Sequence, residues 1–276
     1  MKKSKLEKKK RENCTAMISP AEAAELLSST TTSATKHPCS RDANVTFLND
    51  DQIKSFKFIL PCRIILSGPS MSGKSQMILN IMKNYDNFFS EHVDYCIYFY
   101  PEQEGLDESR QAYIKQLKEH IPDLITVEGF PAMNRITRLA GKKMLLLDDM
   151  FHQLADNLDF VNLCTIGSHH GDISFFLTTQ NMYWPSRHRL TIVRNCTDLI
   201  LWQGILDKSQ MYTLGRQLFE DRHFLVSCFE WLKKRYKHQY KRALWIDLNC
   251  LNHEMQDCMR VRANFVDRNP LILFEK

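Results

Sequence analysis

Residues 63–83 read RIILSGPSMSGKSQMILNIMK: a short apolar run, an eight-residue loop (GPSMSGKS, Gly68 to Ser75) and an amphipathic segment. A strand, then G-x-x-x-x-G-K-S, then a helix is the setting in which such a loop cradles phosphate groups. Gly68 and Gly73 permit backbone angles and close approaches that a side chain would block. The loop N–H groups, with a helix N-terminus behind them, form a concave anion site. Lys74 is expected to reach the β- and γ-phosphates, and the Ser75 hydroxyl to ligate Mg²⁺. The candidate ATP-binding residues are therefore Gly68, Pro69, Ser70, Met71, Ser72, Gly73, Lys74, Ser75 and Gln76.

Hydrolysis of a bound triphosphate needs a metal-holding acid on a neighbouring strand and a group that positions water. MLLLDD (144–149) offers the acid: four apolar residues ending in Asp148 and Asp149. Asp148, at the carboxyl end of the strand, is expected to hold Mg²⁺, and Asp149 to act as general base toward the attacking water. A D-D pair after a strand also serves as a plain turn or helix cap; the loop upstream gives it a chemical reading. A further strand, FFLTTQ (175–180), ends in Gln180, which would sense the γ-phosphate or orient water. Loop, acid pair and glutamine in this order resemble the ASCE type of P-loop NTPase, in which an added strand lies between the loop strand and the acid strand.

From about residue 56, short apolar runs alternate with helical segments, as in DYCIYFYP, LDESRQAYIKQLKEHI and LITVEGF. The expected fold is α/β, a mainly parallel sheet flanked by helices on both faces. One ATPase domain is expected over 51–276, behind a disordered basic and Ser/Thr-rich tail at 1–50. Within that tail SPAEAAELL (19–27) has the capping pattern of a short helix, with Ser19 before Pro20.

Nine cysteines, odd in number and never in C-x-x-C spacing, argue against a disulfide framework or zinc site and for a reducing compartment. No apolar run reaches the ~18 residues of a membrane span, and no signal-peptide h-region follows the N-terminus. A soluble, non-secreted protein without a membrane partner is expected. The net charge of +5 is unevenly held. Residues 1–11 carry seven Lys/Arg against one Glu, and KKRYKHQYKR (233–242) carries six with no acid, so the rest of the chain sums to −7. The first block is a solvated end, or a nuclear import signal or DNA-tethering arm. The second is a solvated helix end, or a sequence-independent grip on DNA phosphates.

The loop, LLLDD, GSHHGDISFFLTTQN, RNCTDLILW, DKSQMYTLGRQLF and ALWIDLN followed by MRVRANF come in an order that resembles one family. It is the genome-packaging ATPases of Polinton and adintovirus elements, related to the poxvirus-type enzyme and the FtsK–HerA superfamily. The resemblance covers roughly 58–276 and leaves out the tail. It implies ATP-driven translocation of double-stranded DNA into a preformed capsid by a homo-oligomeric ring, with capsid or portal proteins as partners and the host nucleus as the place of action. Lys74, Ser75, Asp148 and Gln180 match the family's loop, metal-acid and strand-end positions, and Asp149 the second acid, where much of the superfamily has Glu. The family's arginine five residues before Asn195 is here Leu190; Arg187, Arg189 and Arg194 flank it, and Arg189 is the candidate trans-acting finger. His169 and His170 belong to the family pattern, which implies a place near the nucleotide or a subunit interface. The same fold also hosts helicases, and a nucleotide-binding scaffold without turnover is the non-enzymatic alternative.

Overall fold

The computed structural model describes residues 14–18, 44–47, 57–102, 107–204, 208–219, 221–248, 261–265 and 271–275. The basic cluster at 1–11 and the helix expected at 19–27 lie outside them. The chain divides into two compact units, one of Phe56–Trp202 and one drawn from Met1–Ser55 and Gln203–Lys276. Two strands, β1 (Cys14–Ile18) and β2 (Asn44–Phe47), fall within the segment expected as a tail.

The Phe56–Trp202 unit is built on six parallel strands. In chain order they are β3 (Arg63–Ser67), β4 (Tyr95–Tyr100), β5 (Ile125–Glu128), β6 (Lys143–Leu147), β7 (Ile173–Thr179) and β8 (Asp198–Leu201). In space the order is β8-β3-β7-β6-β4-β5. Every residue of β3, β6, β7 and β8 is buried, the mark of strands covered on both faces. The terminal strand β5 keeps Ile125 and Glu128 exposed.

Helices make the crossovers. In α1 (Lys74–Lys83), Met77, Ile78, Ile81 and Met82 are buried, a repeat that lays one helical face on the sheet. Next comes the short α2 (Tyr85–Phe88). In α3 (Glu108–His120) the Asp107 side chain accepts from the Arg110 N–H at 2.6 Å, satisfying a first-turn donor. After α4 (Met133–Thr137) and α5 (Phe151–Leu154), α6 runs through Leu158–Asn162, a π-helical stretch Leu163–Gly167 and a last turn Ser168–His170; α7 spans Arg189–Arg194. The apolar run FKFILPC does not extend β3 backward. Phe58 instead makes an isolated bridge with Phe89, and the Leu60–Pro61 peptide is cis.

The other unit contains α8 (Lys208–Leu218) and α9 (Phe224–Arg235), packed on each other, and strands β9 (Leu244–Asp247), β10 (Val261–Ala263) and β11 (Leu271–Glu275). Strands β9, β10, β11 and β1 pair antiparallel in that order, and β2 joins β1 in parallel. Arg262 is buried here, its guanidinium 4.2 Å from the Trp245 ring centre and its Nη2 donating to Asp247 Oδ2 at 2.9 Å. Among the described residues no helix is long and apolar enough to cross a membrane.

Candidate active site

Strand β7 lies between β3 and β6, so the added strand stands where the ASCE arrangement requires it. The P-loop NTPase fold is therefore present. The registers set the heights of the candidate residues. Ser67 is level with Thr179, and Leu147 with Leu177. The loop at Gly68 thus leaves the sheet beside Gln180, and Asp148 stands level with Thr178, all at the carboxyl ends of the strands, where ligands of open α/β sheets bind.

The Ser75 hydroxyl donates to Asp148 Oδ2 at 2.9 Å. One bond thus joins the first turn of α1 to the end of β6, across the intervening strand. The other carboxylate oxygen, Oδ1, accepts from the Thr178 hydroxyl at 2.9 Å, and Thr178 Oγ1 accepts in turn from the Asp149 N–H at 2.9 Å. Asp148 is buried and Asp149 exposed. Burial, and secondarily the charge of Asp149, raises the Asp148 carboxyl to about 6, against the opposing pull of Thr178, Ser75 and Lys74. Lys74 is buried as well, and burial lowers its ammonium, opposed by the two aspartates. Its Nζ donates to the carbonyls of Gly68 and Pro69 at 2.8 and 3.0 Å, so the lysine lies folded over its own loop.

The loop residues fit a phosphate chain. Met71 and Gly73 hold positive φ (62° and 101°), turning the chain between strand and helix. A Cβ built on Gly68 would lie 2.7 Å from Trp202 Cβ and 3.0 Å from Ser72 Oγ, so only glycine fits this approach. Among the described residues, Ser72 Oγ is buried without a hydrogen-bond partner, a polar atom left over within the loop. Ser75 and Asp148 are hard oxygen donors of the kind Mg²⁺ takes. Gln76 is exposed and donates to Asn80 Oδ1, one helical turn on.

Asp149 and Gln180 share the wall of a cavity of about 370 Å³, together with Phe151, Asp156, Asn181 and Trp184. Asp149 has φ 56°, a left-handed backbone that non-glycine residues seldom adopt. On the opposite flank the Tyr113 hydroxyl donates to the Ser75 carbonyl at 2.9 Å, with its ring 5.9 Å from that of Tyr98. Arg110 lies 6.0 Å from the Tyr100 ring. Thr178 and Tyr113 escape a sequence reading: T-T-Q marks a strand end without saying which hydroxyl meets the acid, and Tyr113 lies on a helix with no motif.

Other expected residues go elsewhere. Arg189 sits over the Tyr183 ring at 5.1 Å, and Arg187 Nε donates to His188 Nε2; neither interaction involves the loop or the acid pair. The G-S-H-H stretch precedes β7 and so lies at the amino ends of the strands, away from the loop. There Ser168 Oγ accepts from Arg63 Nη1 at 3.1 Å while Arg63 Nε donates to the Asn195 carbonyl, a buried anchor rather than a nucleotide contact. The basic block 233–242 is not one helix. Helix α9 stops at Arg235, and Arg242 donates from Nε to the Tyr236 carbonyl and from Nη2 to that of Lys237, closing a turn before a 3-10 stretch, Gln239–Arg242.

No protein-family model and no curated protein matches this chain. Among solved structures it is similar to the DNA-packaging ATPase B204 of Sulfolobus Turreted Icosahedral Virus, at 12% identity over 70% of this chain and 95% of that one, with a TM-score of 0.46. B204 of Sulfolobus turreted icosahedral virus 2, in complex with ATP-gammaS, gives 15% identity over 68% and 93%, with a TM-score of 0.45. The flagellar accessory protein FlaH of Methanocaldococcus jannaschii gives 16% over 55% and 75%, with a TM-score of 0.38. Likenesses this remote assign no activity.

Proposed function

We propose that this chain is a P-loop ATPase that uses hydrolysis of ATP to move double-stranded viral DNA into a preformed capsid. The observation that carries the chemistry is the Ser75–Asp148 hydrogen bond, which brings the loop helix and the acid strand to one point. The order of motifs resembling the Polinton and adintovirus packaging ATPases, of the FtsK–HerA superfamily, supplies the motor reading.

In this reading the loop N–H groups and Lys74 hold the β- and γ-phosphates, with Lys74 exchanging the carbonyls of Gly68 and Pro69 for phosphate oxygens. Ser75 and Asp148 are the residues that would hold Mg²⁺, which when bound neutralises charge on the phosphate chain. Asp149 takes the proton of the water that attacks the γ-phosphorus, and Gln180, on the same cavity wall, orients that water. The bond to the β,γ-bridging oxygen breaks, giving ADP and phosphate. A ring of identical subunits, an arginine supplied by the neighbour (Arg189 the candidate, beside Arg187 and Arg194), capsid or portal proteins as docking partners and work in the host nucleus complete the proposal. The exposed Lys234 and Lys237 of the 233–242 block are the phosphate-gripping candidates.

The test is ATPase activity with and without long duplex DNA, across a salt series. Stimulation by duplex that fades with salt, without unwinding of forked DNA, supports the motor. Strand displacement would instead make the chain a helicase, and absence of turnover a scaffold.

A further inference from the structure

We propose that Thr178 is a positioning residue that locks the two aspartates of the acid strand to each other and to the strand that carries Gln180. The inference rests on the hydrolysis reading above and names a residue no motif assigns.

Thr178 is 1% exposed, and its hydroxyl has one hydrogen to give. The Asp149 N–H can only donate, so it occupies a lone pair of Oγ1; the hydroxyl hydrogen then goes to Asp148 Oδ1. With Oδ2 held by Ser75, both oxygens of the Asp148 carboxylate are tied and its plane cannot turn. The same hydroxyl holds the backbone of Asp149, whose φ of 56° sets the direction in which its carboxylate leaves the chain. Thr178 and Gln180 both line the cavity that Asp149 borders, at the end of β7. One side chain thus places the metal-holding acid, the proton acceptor and the water-orienting amide on a common reference. A β-branched residue in a strand suits this role, because its χ1 is restricted and the hydroxyl does not wander.

The experiment compares wild type with Thr178→Val and Thr178→Ser in the full chain, by steady-state ATPase kinetics, Mg²⁺ titration of the rate and urea unfolding. The valine variant is expected to lose at least tenfold in kcat with KM for ATP within threefold, and to need a higher Mg²⁺ concentration for half-maximal rate. The serine variant is expected to return to within threefold of wild type. A hydroxyl that only satisfies its donor and acceptor neighbours would shift the unfolding midpoint and leave the kcat-against-KM split unmoved. The proposal is overturned if the valine variant keeps kcat within twofold, if kcat and ATP affinity fall together, or if serine is as impaired as valine. Should valine not fold, Thr178→Ala is held to the same criteria, and failure of both to bind ATP overturns the proposal in favour of a structural role. Wild type without ATPase activity overturns both this inference and the function beneath it; an active wild type with an equally active valine variant overturns this inference alone.

Discussion

Asp148→Asn should stabilise the ligand-free protein while abolishing its activity, and the gain should depend on pH. Burial holds the folded-state carboxyl near 6 instead of its ordinary 3.8. At about 1.4 kcal/mol per pH unit, that gap corresponds to roughly 3 kcal/mol. Below about pH 4 the group is protonated in both folded and unfolded chains and contributes nothing. Between about pH 4 and 6 the unfolded chain releases its proton first, so folding loses free energy as pH rises; above about 6 the full penalty is in force. Asparagine is neutral throughout, can accept from Thr178 through Oδ1 and can donate to Ser75 Oγ through Nδ2. Urea unfolding with chelator, at steps from pH 4 to pH 8, should therefore show the two proteins converging at the acid end. By pH 7.5 the variant should lead by up to ~3 kcal/mol. A difference constant across that range, or a variant less stable than wild type at pH 7.5, would refute burial as the cause.

Removing the ammonium in Lys74→Ala should abolish turnover, read as phosphate release at saturating ATP. Asp149→Asn should bind ATP as wild type does and lose at least ~100-fold in rate; asparagine tolerates the left-handed backbone at this position, so normal hydrolysis would remove Asp149 as the base. Gly68→Ala pushes a methyl to within 2.7 Å of Trp202 Cβ, and should lower stability by roughly 1–3 kcal/mol and weaken ATP binding, seen by calorimetry. Charge reversal at Lys234 and Lys237 should weaken duplex binding for all sequences alike and flatten its salt dependence by about one unit per lost phosphate contact.

The central strands were legible because each is a short apolar run covered on both faces: RIILS, KMLLL and ISFFLTT stand out against polar neighbours. The order β3-β7-β6 was legible too, through the loop, the acid pair and the strand-end glutamine taken together. Other elements were not. Strands β1 and β11 pair although 14–18 and 271–275 lie at opposite ends of the chain. Neither segment announces a partner locally, and tertiary pairing overrides local pattern. The basic block has the composition of a helix end, but Arg242 spends its guanidinium on backbone carbonyls and folds the segment into a turn. Within the site, motif spacing identifies Lys74, Ser75 and Asp148. The hydroxyl of Thr178 matters only because the β6–β7 register sets it against Asp148, a fact of pairing that spacing does not encode.

Lys74 donates to the carbonyls of Gly68 and Pro69, two hydrogen bonds that close the loop on itself. An arriving anion has to outbid two hydrogen bonds already made, and it leaves two carbonyl oxygens seeking new company. A lone sulfate or phosphate offers few anchors in return, whereas a polyphosphate tail lying along several amides offers many. On the proposed nucleotide-binding reading, the loop would therefore favour a polyphosphate over a single small anion.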